Sequence, residues 1–325
     1  MSSPENKFLV GIDIGGTKTA VLLSSTPPVV IARKEFATRT AQGAERAIEL
    51  IKSGIREMLA EQGTDATAIL RMGVSCGGPL DRIKGIIQKP PNLWTWDDVP
   101  IKAILENEFK AECLIENDAN AGAVAEHRFG AGKGSTNMVF LTMGTGLGAG
   151  VITDGHLYRG SNDLAGEVGH LRLTKTGPIG HNKKGSAEGW ASGGGMAQVA
   201  QQAVAAALKK KRPTLLAKQY RSGEPITAKD IGMAARKGDK VALEVLEATG
   251  EKLGMVLAIL VDLLNPDRIV IGGLAMRLGD LLLEPARRVI RQEALELPAR
   301  TCQVVPANLG ESIGDAAALC IAMGI

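Results

Sequence analysis

Residues 142–155 read TMGTGLGAGVITDG, and the apolar run NMVFL leads into them. Gly144, Gly146 and Ala149 match the G-x-G-x-x-A spacing of a dinucleotide-binding turn. That fingerprint works only when a helix follows, because the helix N-terminus holds the pyrophosphate. Here Gly148 and Gly150 penalise a helix, while Val151, Ile152 and Thr153 favour a strand. The pattern is strand, glycine turn, strand, so the Rossmann reading fails. A hairpin does not require four glycines. A backbone that approaches an anion closely, or takes positive φ, gives them a reason.

A second stretch repeats the pattern. GIDIGGTKT, from Gly11, places Gly15 and Gly16 between two strand-forming runs. It lacks the G-x-x-x-x-G-K-[ST] spacing of a P-loop, and the TAVLL that follows is strand-forming. Gly15, Gly16, Thr17 and Lys18 suit a phosphate cradle, and Asp13 at the strand end suits a hydrated Mg²⁺. An ordinary Gly-Gly hairpin is the plainer alternative, and the second glycine hairpin at 144–148 favours the phosphate reading.

Strands and helices alternate over the first 120 or so residues. The second half starts again with a glycine hairpin, followed by helices over about 187–262, the strand RIVIGGLA and a last strand near CQVVPA. This weak internal repeat predicts an α/β protein of two lobes. The expected boundaries are 1–120 for an N-terminal lobe, joined by the last helix at about 312–325, and 121–311 for a C-terminal lobe. A cleft between the lobes is the expected ligand site.

Polar residues at strand and loop ends supply candidate chemistry. In ENDAN (116–120), Asn117 or Asp118 would cap the following helix, but a cap needs one such residue. A carboxylate there suits a general base for a sugar hydroxyl attacking ATP. GEVGH places Glu167 and His170 at i, i+3; a di-iron half-site would need a second copy, which is missing, and a lone histidine is often structural. Asn92 in PPNLW and Glu188 in SAEGW join them. Asn, Asp, Glu and His together suit a polyol, whose hydroxyls both donate and accept.

The bulk composition bounds the rest. The chain has 325 residues, 45% hydrophobic, with 40 glycines and 3% aromatics. That predicts packed cores, tight turns and small-residue contacts. With 38 basic and 35 acidic residues, the net charge of +3 gives no reason to expect nucleic acid. KKKR at 209–212, before Pro213, reads as a solvated helix end. Cysteines 76, 113, 302 and 320 have neither metal nor redox spacing. No signal-peptide region opens the chain, and GMVLAILVDLL is too short to span a membrane. A cytoplasmic protein is expected.

GIDIGGTKT, GGPLD, PPNLW, ENDANAGAVAE, GTGLGAGVITDG, AGEVGH, NPDRIVIGG and the terminal GDAAAL together resemble the ROK family of sugar kinases, over nearly the whole chain. The resemblance implies the actin-like (ribonuclease H-like) ATPase fold and phosphorylation of a hexose by ATP with Mg²⁺, glucose at O6 being the leading substrate. It makes Asp118 the catalytic base. Asn92, Asn117, Glu167, His170 and Glu188 would hold sugar hydroxyls, helped by backbone near Gly78. Gly15, Gly16, Thr17 and Lys18 would contact the triphosphate from one side, and Gly144, Thr145 and Gly146 from the other. Gly272 and Gly273 would lie near the adenosine. A homodimer or higher homo-oligomer is also implied.

The sequence departs from the family in one segment. ROK proteins usually follow the Gly-His with Cys-x-Cys-Gly-x-x-Gly-Cys-x-Glu, whose cysteines bind structural zinc. GPIGHNKKGSAEG places Ile179, His181 and Ser186 at those positions. No structural zinc is expected, and packing of Ile179 is the expected substitute. Fructose, mannose, allose or an N-acetylhexosamine, and polyphosphate as donor, remain open. A sugar-responsive regulator is the reading from a different class. Such regulators carry an N-terminal DNA-binding domain, whereas about seven residues precede the first strand here. A sugar-binding protein without catalysis is a third reading, against which Asp118 counts.

Overall fold

The computed structural model describes residues 7–325, which divide into two compact units. One comprises the chain up to Gly130 together with Glu311–Ile325, and the other is Ala131–Gly310.

The first unit contains strands β1 (Phe8–Ile14), β2 (Lys18–Ser24) and β3 (Ala32–Ala37), then helix α1 (Ala44–Glu61) and β4 (Ile69–Cys76). A small hairpin follows, β5 (Leu80–Asp81) and β6 (Ile86–Ile87), then α2 (Ile101–Phe109), β7 (Cys113–Asn117) and α3 (Asp118–Phe129). Its sheet runs β3-β2-β1-β4-β7. The β1–β2 pair is an antiparallel hairpin in register Ile14↔Thr19, and β4 and β7 add in parallel. Side chains such as Ile12, Val74, Ile51 and Ile55 form the core on one face.

The second unit contains β8 (Met138–Met143), β9 (Leu147–Thr153), β10 (His156–Tyr158), β11 (Ile179–Gly180) and β12 (Lys183–Lys184). Helices α4 (Ala187–Ala191), α5 (Gly193–Lys209), α6 (Ala217–Ser222), α7 (Ala228–Arg236) and α8 (Lys240–Leu264) come next. The unit closes with β13 (Arg268–Gly273), α9 (Leu274–Leu278), α10 (Asp280–Glu293), α11 (Glu296–Thr301) and β14 (Gln303–Pro306). Its sheet order, β10-β9-β8-β13-β14, repeats the plan of the first. The stretch that imitates a dinucleotide fingerprint is indeed a hairpin, with Met143 opposite Leu147.

The last helix, α12 (Ile313–Ala322), returns to the first unit and lies on the other face of its sheet, against Leu9 and Leu22. Gly11 and Gly73 are register partners on β1 and β4. A Cβ on Gly73 would lie 2.3 Å from the Ala322 nitrogen, and one on Gly11 would lie 3.1 Å from the Ala318 Cβ. These two bare positions let α12 pack close to the sheet, and the start of that helix lands beside Asp13. The boundary between units falls at Gly130 because α3 also packs on α12.

Candidate active site

In the first unit the β1–β2 turn is fastened from outside. Thr38 Oγ1 donates to the Gly15 carbonyl (2.6 Å), Thr40 Oγ1 to the Gly16 carbonyl (3.0 Å), and the Thr38 N–H to the Thr17 carbonyl (3.0 Å). The Gly15 N–H closes the turn onto the Lys18 carbonyl at 3.0 Å. All three turn carbonyls are therefore occupied. The N–H groups of Gly16 and Thr17 have no hydrogen-bond partner among the described residues. Adjacent free N–H groups form a concavity suited to an anion. Gly16 is also required by packing, since a Cβ there would lie 2.5 Å from the Asn92 Cβ. Neither glycine takes positive φ, so close approach of neighbouring atoms, not a left-handed backbone, is what these positions require. Lys18 bonds Glu35 at 3.0 Å, and Glu35 also takes Arg33.

Asp13 precedes this turn. Its carboxyl is pushed up to about 6, first by burial and then by the charges of Asp118 and Asp315, against the charge of Lys18 and a hydrogen bond from Ser75. Desolvation and neighbouring carboxylates both disfavour the ionised form. A nearby cation would relieve this strain, and Asp13 by itself suits a hydrated magnesium carried in with a nucleotide rather than a cage of protein ligands.

At the far edge of the same sheet, β7 ends in the corner that starts α3. Asn117 is the N-cap, its Oδ1 accepting from the N–H groups of Ala119 (3.0 Å) and Asn120 (3.4 Å). Capping leaves its Nδ2 for other work. Asp118, in the first helical position, is exposed, and its Oδ1 accepts from the Ala119 N–H at 2.8 Å. A Cβ on Gly77 would lie 3.8 Å from both Asn92 Nδ2 and Asp118 Oδ2, and one on Gly78 3.3 Å from Asn117 Nδ2. The Gly77–Gly78 segment is thus a bare floor on which Asn92, Asn117 and Asp118 converge.

Sequence reasoning missed what holds this corner. Glu116 and Asn120 are both buried; Glu116 Oε1 accepts from the Asn117 N–H (2.9 Å) and from Asn120 Nδ2 (3.1 Å). The second asparagine of ENDAN was the available signal. Thr38 and Thr40 gave none, because their partners lie 23 and 24 residues away.

In the second unit the turn after β8 is likewise tied by its carbonyls. The N–H groups of Gly193 and Gly194 donate to Gly144 (2.8 Å) and Thr145 (3.3 Å). Gly273, at φ 67°, sits against it, and a Cβ there would lie 2.2 Å from the Met143 carbonyl oxygen. Gly272 instead packs on the Phe140 ring. Glu188 occupies a less expected place. Its Oε2 accepts from the Leu147 N–H (3.2 Å) and would lie 2.8 Å from a Cβ on Gly146. Its Cβ would lie 3.4 Å from one on Gly169, next to His170. Glu188 therefore links the glycine turn to GEVGH. Glu167 precedes a single 3-10 turn that His170 ends, and both are exposed.

The segment after GEVGH corrects one expectation. Ile179 is 46% exposed and fills no metal's place. A tight hairpin does the holding: His181 and Asn182, both at positive φ, join β11 to β12. The Gln198 amide bonds both the N–H (2.9 Å) and the carbonyl (2.8 Å) of Ile179. Gly177 lies against the Trp190 ring, whose Nε1 donates to Thr174 Oγ1 at 2.8 Å. The His170 and His181 rings meet edge to face at 4.8 Å. Among the described residues no three His, Cys, Asp or Glu side chains are grouped to hold a metal ion.

Residues 9–324 match the ROK family. The chain belongs to the ROK family. It is 32% identical over 311 residues to a glucokinase of Halalkalibacterium halodurans, covering 95% of this chain and 93% of that one. It is 30% identical to a xylose repressor of Caldicellulosiruptor bescii, over 88% of this chain and 70% of the repressor. The ROK glucokinase of Streptomyces griseus, solved with glucose and AMPPNP, superposes with a TM-score of 0.79 at 32% identity, over 97% of this chain and 99% of that one. The fold is the α/β actin-like ATPase fold of ROK sugar kinases. This ROK chain thus has both kinases and repressors as relatives, and among its described residues no helix is long and apolar enough to cross a membrane.

Proposed function

We propose that the protein transfers a phosphate from ATP to a hexose, glucose at O6 being the leading substrate, with Asp118 as the general base. The exposed Asp118 carboxylate, converging with Asn92 and Asn117 on the bare Gly77–Gly78 floor, carries this reading. Asn92 Nδ2 and Asn117 Nδ2 donate to sugar oxygens. Asp118 Oδ2 takes the proton of the reacting hydroxyl as the hydroxyl oxygen bonds to the γ-phosphorus. The bond from that phosphorus to the bridging oxygen breaks, and ADP leaves. A base so placed typically contributes about 10²–10⁴-fold.

The Gly16 and Thr17 N–H groups bind phosphate oxygens, and Asp13 is the residue that would hold a magnesium ion arriving with the nucleotide. When bound, magnesium spreads the charge on the phosphates. Gly144, Thr145 and Gly146 serve the phosphates and Gly272–Gly273 the adenosine. Glu167, His170 and Glu188 serve sugar hydroxyls. Similarity to two glucokinases, one of them solved with glucose and AMPPNP, supports the sugar and the donor.

Similarity to a xylose repressor favours a second reading, a sugar-responsive regulator. ADP release on mixing the protein with Mg²⁺, ATP and a panel of hexoses decides between them. The kinase reading expects release that depends on one or a few hexoses. Hexose binding with neither ADP release from ATP nor hexose phosphate formed from polyphosphate contradicts it.

A further inference from the structure

Resting on the kinase reading, we propose that Arg39 binds a phosphate group of the donor at the β1–β2 turn. The argument starts from charge. Around that turn Lys18 is bonded to Glu35, and Arg33 to both Glu35 and Asp315. Asp13, Asp118 and Asp315 add like charge at its base. The two free N–H groups of Gly16 and Thr17 therefore face a region whose nearby cations are already paired. A polyanion needs a positive partner there.

Arg39 meets that need. It lies between Thr38 and Thr40, the two residues whose hydroxyls grip the Gly15 and Gly16 carbonyls. Thr40 also donates to the Asn92 carbonyl at 3.2 Å, so the segment joins the turn to the Asn92 loop. The Arg39 side chain is exposed, and its guanidinium has no hydrogen-bond or ion-pair partner among the described residues. Its backbone is left-handed, at φ 49° and ψ 54°. A residue with a Cβ adopts that conformation at a cost, and such positions gather at ligand sites. A guanidinium fork matches phosphate geometry better than an ammonium does.

The test is binding of inorganic tripolyphosphate, of ATP and of glucose 6-phosphate, measured by calorimetry without sugar. Arg39→Asn removes the guanidinium and keeps a residue that tolerates the left-handed region; Arg39→Lys keeps the charge without the fork. The expected result is at least a tenfold loss of tripolyphosphate and ATP affinity in Arg39→Asn. A smaller loss is expected in Arg39→Lys, with glucose affinity and melting temperature unchanged in both. Unchanged donor affinity overturns the proposal. So does a loss confined to glucose 6-phosphate, or a wild-type protein that binds neither polyanion. A protein that binds tripolyphosphate through Arg39 yet releases no ADP with any hexose refutes the kinase reading and leaves this one standing.

Discussion

Gly314 has no side chain where the Asp13 carboxylate lies: a Cβ at 314 would sit 2.2 Å from Asp13 Oδ2. The colliding atom is the end of a short side chain, so the carboxylate can swing aside and the fold survives. Alanine is also the better helix former in α12. Gly314→Ala should therefore melt within a few degrees of wild type and lose at least tenfold in kcat. Normal turnover would separate Asp13 from the reaction.

Asp13 itself makes stability depend on pH. Its folded carboxyl titrates near 6, above the ordinary 3.8, so between those values the folded state holds more proton than the unfolded one. Stability then falls as pH rises through that window, and the full penalty applies above about 6. Asp13→Asn removes the charge. Its stability relative to wild type should rise from near zero at pH 4 to at most roughly 3 kcal/mol at pH 8, at about 1.4 kcal/mol per unit, while activity is lost. Denaturant melts of both proteins at four pH values check this. A difference flat with pH contradicts the burial of Asp13 as a strained acid.

The two glycines after β8 separate ligand contact from packing. A Cβ at Gly144 meets nothing within 4 Å, whereas one at Gly146 meets Glu188 at 2.8 Å. Gly144→Ala should keep its melting temperature and its sugar KM while the ATP KM rises severalfold. Gly146→Val should disturb Glu188 as well, raising both. If Gly144→Ala leaves the ATP KM untouched, the turn is not a phosphate contact.

How far the sequence could be read follows from the range of each contact. The glycine hairpins were legible because Gly148, Gly150 and a β-branched run exclude a helix locally. Asp118 and Asn117 were legible at a strand-to-helix corner, where capping chemistry is local too. Thr38, Thr40 and Arg39 were not, since their meaning lies in a turn some 23 residues earlier. Gly11 and Gly73 gave no hint that they form a seat for α12, because their register is a tertiary fact. Ile179 was misread for a related reason. An apolar residue in a cysteine's place suggests packing, but the His181–Asn182 turn and the Gln198 clamp already close the loop and leave Ile179 outside.

That loop yields its own prediction. Gln198→Leu deletes both clamp bonds and should cost about 1–2 kcal/mol. Ile179→Ser should change stability by less than about 0.5 kcal/mol, as exposed substitutions do. A structural zinc site needs about four ligands, commonly cysteine or histidine, and His170 with His181 supplies two. Elemental analysis of chelator-free protein should find no stoichiometric zinc, and EDTA should leave the melting temperature unchanged. Stoichiometric zinc would overturn the hairpin account of the loop.

The role of Asp118 is tested most directly by Asp118→Asn, with kcat and glucose affinity measured separately. The amide keeps the oxygen that accepts from the Ala119 N–H and the shape beside Gly77, but it cannot take the hydroxyl proton. A fall in kcat of about 10²–10⁴-fold with glucose affinity nearly intact is the predicted result. Near-normal kcat would contradict Asp118 as the base, and with it the mechanism built on this corner.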